Sequence, residues 1–268
     1  MFVSEFKTII LCADDFGLNA GVSQGILELV RLGRLSAVSC MTNMPDFILH
    51  APELLALKNK VRVGLHFNLT EGTLLTASGT PCFSLNELLI KTHLRVINPS
   101  LIADELKLQL AEFVRVMGCI PDFIDGHQHV HQFPVIRQVL LDFYAQQLKS
   151  HDVSIRSTSP ALSVAKYQLK AKILAMTGGR ALNRALNQAS IPHNHYFSGI
   201  YDFFPETKYR ELFRNWLSQV VTDTLIMCHP GNESNEPDVI AATRLIERDY
   251  FLSNDFLSDC EEYGIKLT

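Results

Sequence analysis

The chain has 268 residues, 47% of them hydrophobic and 19% charged, with a formal net charge of −4. That length suits one α/β barrel-type domain with a large buried core. The acidic balance and the lack of any Lys/Arg run argue against nucleic-acid binding by phosphate neutralisation, and no apolar run approaches the roughly 18 residues of a membrane span. The opening Met1-Phe2-Val3-Ser4-Glu5 lacks the charged leader and long apolar core of a signal peptide. Cys12, Cys40, Cys82, Cys119, Cys228 and Cys260 form no Cys-x-x-Cys pair and read as reduced thiols. A cytoplasmic soluble protein is expected.

Thr8 to Ala13 is a short apolar run rich in β-branched residues, as in a strand buried on both faces. It ends at Asp14-Asp15-Phe16-Gly17, after which Asn19 can cap a helix running roughly from Gly21 to Leu32. Adjacent carboxylates at the exit of a buried strand need compensation by pairing or metal, although Asp-Asp-x-Gly also reads as a turn. Strand alternation points the two to different sides. Ala37 to Met41 reads as the second strand, with a helix from Asp46 to Leu57. Val61 to Leu65 is the third, and His66 stands at its end, either as a satisfied core residue or as part of a site. Residues 72–84 form a long Gly- and Pro-bearing loop that could border a cleft.

Ser100 to Met117 reads as an amphipathic helix with Leu106, Leu110, Phe113 and Met117 facing the core, ended by Gly118. Phe123-Ile124-Asp125 is the fourth strand end, delivering Gly126-His127-Gln128-His129-Val130-His131. If that segment is extended, His127 and His129 share a face; if helical, His127 and His131 do. Either way two imidazoles could converge on one ion. Pro134 opens a helix to Leu148, and Val153 to Arg156 is a short strand whose arginine suits an anion contact or a surface salt bridge. Val164 to Ala189 is helical and basic, broken at Gly178-Gly179, while His193 and His195 read as surface loop. Lys208 to Val221 is a helix and Thr224 to Cys228 a buried strand ending at His229-Pro230-Gly231. Helices over Val239 to Leu252 and Asp255 to Glu262 precede a terminal strand, Ile265 to Leu267. No linker or internal repeat divides residues 1–268, so a single domain is expected.

Strand-like runs alternating with helical ones predict parallel βα units, whose chemistry gathers at the carboxyl ends of the strands. Asp14-Asp15, His66, Asp125/His127 and His229 all fall directly after an apolar run. One Asp and two His in an open site leave positions for water and substrate, as in a hydrolytic metal centre. A neighbouring carboxylate can then act as general base.

Ala13-Asp14-Asp15-Phe16-Gly17-Leu18, Gly64-Leu65-His66-Phe67-Asn68-Leu69-Thr70 and Asp125-Gly126-His127-Gln128-His129-Val130-His131-Gln132-Phe133-Pro134 together resemble the YdjC-like carbohydrate deacetylases, which include chitooligosaccharide deacetylases. His229-Pro230-Gly231 and the closing segment through Leu267 fit the same family, so the likeness spans nearly the whole chain. Gly126-His127-Gln128 departs from the Ser-His-His of better-known members without touching His127. The resemblance implies a distorted, TIM-like (β/α) barrel of the polysaccharide deacetylase type and removal of acetyl from an N-acetylated sugar. It implies a divalent cation on Asp15, His66 and His127, with Asp14 as general base and His229 as general acid. His131 would be an extra ligand or a neighbour of the metal. Ligand softness favours Zn, whereas the family points to Mg. Family members often pair, which leaves a homodimer open. Two other readings compete: a phosphoesterase, which usually wants two metals and more carboxylates, and a non-catalytic sugar-binding protein on the same scaffold.

Overall fold

β1 (Lys7–Phe16) is the axis of the structure, and its apolar residues explain why. Ile9, Leu11, Cys12 and Ala13 are all 0% exposed, as required of a strand flanked by neighbours and covered by helices. The computed structural model describes residues 6–268; the leader reading at Met1 to Glu5 lies outside them. After β1 come β2 (Ala37–Cys40), β3 (Arg62–Phe67), β4 (Phe123–Gly126), β5 (Ser154–Ile155), β6 (Tyr196–Ser198), β7 (Thr224–Cys228) and β8 (Ile265–Leu267). Every pairing is parallel, in the order β5-β4-β3-β2-β1-β7-β6, with β8 beside the start of β1.

This curled parallel sheet confirms the α/β class and is consistent with the expected distorted (β/α) barrel, without closing into a full TIM barrel. β5 and β6 are edges in the regular ladder. The chain between them only partly bridges the gap: Phe197 N–H donates to Pro160 O (3.1 Å) and Leu162 N–H to Phe197 O (2.7 Å). Two residues of β5 and three of β6 are too few to complete a ring of regular staves.

The helices are α1 (Ala20–Arg31), α2 (Pro45–Ala56), α3 (Leu85–His93), α4 (Pro99–Met117) and α5 (Ile136–Phe143), then α6 (Gln168–Leu174), α7 (Arg180–Ala189), α8 (Tyr209–Gln219), α9 (Ala241–Leu252) and α10 (Asn254–Glu262). α1 is capped as predicted, Asn19 Oδ1 accepting from Val22 N–H at 2.9 Å. α4 ends where the sequence placed it, at Gly118 with φ 67°, a left-handed position that glycine occupies without a Cβ penalty. Of the four core residues read on α4, Leu106, Phe113 and Met117 are buried and Leu110 is partly so. α3 and β6 were not anticipated. α8, α9 and α10 lock together through Phe213, whose ring centroid lies 5.2 Å from Tyr250 on α9 and 5.9 Å from Phe256 on α10. That aromatic cluster holds α9, which delivers two side chains to the site.

Candidate active site

The candidate site sits at the carboxyl ends of the strands, over a cavity of about 620 Å³ lined by Asp14, Asp15, His66, His127 and His229. Simple alternation would send Asp14 and Asp15 to opposite faces. The structure avoids this with a bulge. Ala13 pairs with Val38 but Phe16 with Cys40, so β1 carries one residue more than β2 across that stretch. Asp15 takes the strain at φ 69°, a left-handed conformation that Asp tolerates better than most residues. Both carboxylates therefore line one cavity.

Asp15 Oδ1 lies 2.9 Å from His127 Nδ1 and 3.3 Å from His66 Nε2. One potential ligand atom from each of the three residues lies within 4.8 Å of the others, and all three are buried. The other Asp15 oxygen accepts from Arg244 Nη2 at 2.8 Å, so Oδ1 is the one turned toward the two imidazoles. Behind His66, Nδ1 lies 2.6 Å from Asp125 Oδ1 and 3.0 Å from Ser39 Oγ. Such a carboxylate fixes the ring and raises its basicity. Burial opposes charge on His66, but Asp125 and Asp15 outweigh it and push the imidazole up to about 10. Burial also disfavours ionised Asp15; His127 and Arg244 overturn that and hold it well below the usual range. One carboxylate and two imidazoles form a donor set that fits a single divalent cation.

Arg156 is 2% exposed, so the surface salt bridge left open by the sequence is not what forms. Its Nη1 and Nη2 each donate to an oxygen of Asp14 at 2.6 Å, and Nη2 lies 2.6 Å from Asp125 Oδ2. Burial alone would raise the Asp14 carboxyl, yet Arg156 draws it far below the usual carboxylate range. Cys12, Asp14 and Asp125 also present ligand-type atoms close together. There the guanidinium already supplies the positive charge, with Arg156 Nη2 also 3.0 Å from Cys12 Sγ.

His229 lies edge-on to Phe203, ring centroids 5.0 Å apart. Its backbone N–H donates to Glu247 Oε2 at 2.6 Å, and Tyr201 hydroxyl donates to the other Glu247 oxygen. Burial pushes His229 down to about 4 and Glu247 up to about 7. His131 is not brought into the cluster: its Nε2 is held by the Arg156 carbonyl at 3.0 Å, and burial lowers it to about 4. The His segment is neither extended nor a regular helix, because Gln128 and His129 both take left-handed φ, 50° and 60°. Neither pairing expected from spacing is realised; His127 meets His66 instead, ring centroids 5.4 Å apart. His195 is exposed, as read from the sequence. The six cysteines are all free thiols.

Residues 8–262 match the family model of the YdjC-like proteins. The chain belongs to the YdjC-like family. It is 30% identical over 230 residues to a chitooligosaccharide deacetylase of Yersinia pestis, covering 84% of this chain and 82% of that protein. A chitooligosaccharide deacetylase of Yersinia enterocolitica is 38% identical over 141 residues, which is 51% of this chain and 55% of that one. Among solved structures, a protein from Enterococcus faecalis V583, provisionally described as a cellobiose-phosphate cleavage protein, superposes with a TM-score of 0.76 at 19% identity. That alignment covers 98% of this chain and 97% of the other, and it shows the shared fold.

Several residues that complete this YdjC-like site were not assigned roles from the sequence. Asp125 was seen as a strand-end acid, but its grip on His66 and Arg156 was not. Arg244 and Glu247 are the fourth and seventh residues of α9. The signal available was the likeness of the closing Arg244, Glu247 and Tyr250 to the family, which named no role for either charged residue.

Proposed function

We propose that the chain removes the acetyl group from an N-acetylated sugar, using one divalent cation held by Asp15, His66 and His127, with Asp14 as general base and His229 as general acid. The observation that carries this reading is the convergence of the three donors with Asp14 and His229 on one cavity floor. The relatives named as chitooligosaccharide deacetylases support the reaction class, and the family match over residues 8–262 supports reading the chain as one domain.

Bound there, a divalent cation supplies charge that polarises the amide carbonyl and acidifies a water. Uptake of the ion requires His66 to lose its proton, since a ligand imidazole is neutral. Asp125 then keeps the ring turned toward Asp15. Asp14 stays ionised at any working pH because of Arg156. The bidentate arginine occupies one lone pair on each oxygen, and a carboxylate has about four such sites, so Asp14 can still accept the proton of the attacking water. His229 is placed on the same floor to protonate the departing nitrogen, which cannot leave as an amide anion. Burial lowers its pKa in the free site, and the proton it hands to the nitrogen is balanced by the one Asp14 takes from the water. Ligand softness favours Zn in this set and the family favours Mg.

The phosphoesterase alternative usually wants a second cation, and among the described residues the one other cluster of ligand atoms is already neutralised by Arg156. The test separating an enzyme from a sugar-binding protein is Asp14→Asn. It should leave one metal bound per chain while acetate release falls at least 10²-fold. A variant that keeps most of its turnover removes the base assignment.

A further inference from the structure

The cavity above the proposed centre has two unlike walls. Glu71 follows β3, Asn86 lies in the first turn of α3 and Gln128 follows β4, so one sector of the rim offers polar side chains among Leu85, Leu89 and Phe133. The Glu71 carboxylate, 46% exposed, lies 4.0 Å from His127 Nε2. Its backbone is pinned, with Asn68 Oδ1 accepting from Glu71 N–H at 3.0 Å and Asn68 Nδ2 donating to Glu71 O at 2.9 Å. Further round the rim, after β5, β6 and β7, the lining is mainly apolar, with Ile173, Phe203 and Val239 beside Lys170 and Asp238.

That apolar wall runs on past the lip. Leu169, Ile173 and Met176 recur at i, i+4 and i+7 and are 69%, 52% and 75% exposed, while Val239 is 103% exposed. Exposed apolar side chains on one helical face, one of which lines the cavity, suit a binding surface. A sugar ring carries hydroxyls that lose water on burial and need replacement hydrogen bonds. Aliphatic side chains give none.

We infer that the substrate is an N-acetylated amino sugar carrying an apolar aglycone, with the sugar against Glu71, Asn86 and Gln128 and the aglycone along Ile173, Phe203 and Val239. This rests on the deacetylase reading and narrows its substrate. The aglycone, rather than a long acyl chain, belongs at the wall because of depth. The acyl carbon must reach a floor where Asp14 and Asp15 are 2% and 1% exposed, whereas the apolar stripe is at the mouth.

The test uses the metal-reconstituted protein with methyl and hexyl N-acetyl-β-glucosaminides, reading kcat/KM from acetate release and Kd by calorimetry. The hexyl glycoside should exceed the methyl by at least tenfold in both, equivalent to about 1.4 kcal/mol. Val239→Asp, at a fully exposed position that folding does not need, and Ile173→Gln should each collapse the hexyl-to-methyl ratio toward one. Equal constants for the two glycosides overturn the inference while leaving the deacetylase intact. A gain with N-hexanoyl instead of hexyl glycoside overturns it in favour of an acyl pocket. If Ile173→Gln or Val239→Asp converts a dimer to a monomer in solution, the stripe is a self-association surface and the inference falls. Tighter hexyl binding with no acetate from either glycoside supports the apolar wall and rejects the reaction instead.

Discussion

Arg156→Met is the most informative single perturbation of the fold around the site. The Arg156 guanidinium bridges Asp14 and Asp125, within 2.6 Å of both, and all three side chains are 2% exposed or less. Methionine roughly keeps the apolar volume and removes the charge, leaving two buried carboxylates facing each other. Breaking a buried ion pair from one side costs about 3–5 kcal/mol. For a chain of this size, at roughly 2 °C per kcal/mol, the melting temperature should fall by about 6–10 °C. Differential scanning calorimetry at fixed scan rate and matched metal content measures this. Adding Asp125→Asn to Arg156→Met should recover part of the loss, since it removes one stranded charge. A drop below about 2 °C for Arg156→Met, or no recovery in the double variant, would refute the view that this guanidinium neutralises the floor.

Three further outcomes follow from the same geometry. Asp125→Asn weakens the hold on His66, and metal affinity measured by competition with a chelator should fall roughly 10–100-fold. Gly178 has φ 144°, and a Cβ there would sit 2.0 Å from the Gln132 carbonyl oxygen; Gly178→Ala should cost more than about 2 kcal/mol by urea denaturation and displace the wall that follows β5. Asp259 is buried and accepts from Arg210 Nε and Tyr250 hydroxyl, both at 3.0 Å, and from Arg214. Burial would raise it, but those partners hold it below the usual range. Its stabilisation is thus complete above the unfolded value of about 3.9 and is lost as pH falls through the lower folded value. Asp259→Asn should melt lower than the parent at pH 7, with the gap closing below about pH 4; an equal gap at both pH values would contradict the pairing.

The strand ends were legible in the sequence because buried parallel strands are short unbroken apolar runs. Their last residues place Asp15, His66, His127 and His229 on one rim by topology alone. What pattern could not supply was local geometry. The bulge that brings Asp15 alongside Asp14 depends on one residue adopting a left-handed φ, which leaves no periodic trace. The same holds for Gln128 and His129, whose turn selects His127 and turns His131 away toward the Arg156 carbonyl. Arg156 reaches Asp14 across 142 positions and Arg244 reaches Asp15 across 229, contacts that no window of sequence contains. β6, with three residues, is shorter than the alternation needed to see a strand, and its brevity is also why the sheet curls without closing.

The central claim is that a cation on Asp15, His66 and His127 is required for deacetylation. It is tested most directly by acetate release from N,N′-diacetylchitobiose and methyl N-acetyl-β-glucosaminide, using protein stripped of metal and then reconstituted with Mg or Zn. The account predicts no acetate from stripped protein, recovery on reconstitution with one ion per chain, and no recovery in His66→Ala. Acetate release that survives stripping, or a fully loaded protein that releases none from any N-acetylated sugar, would contradict it.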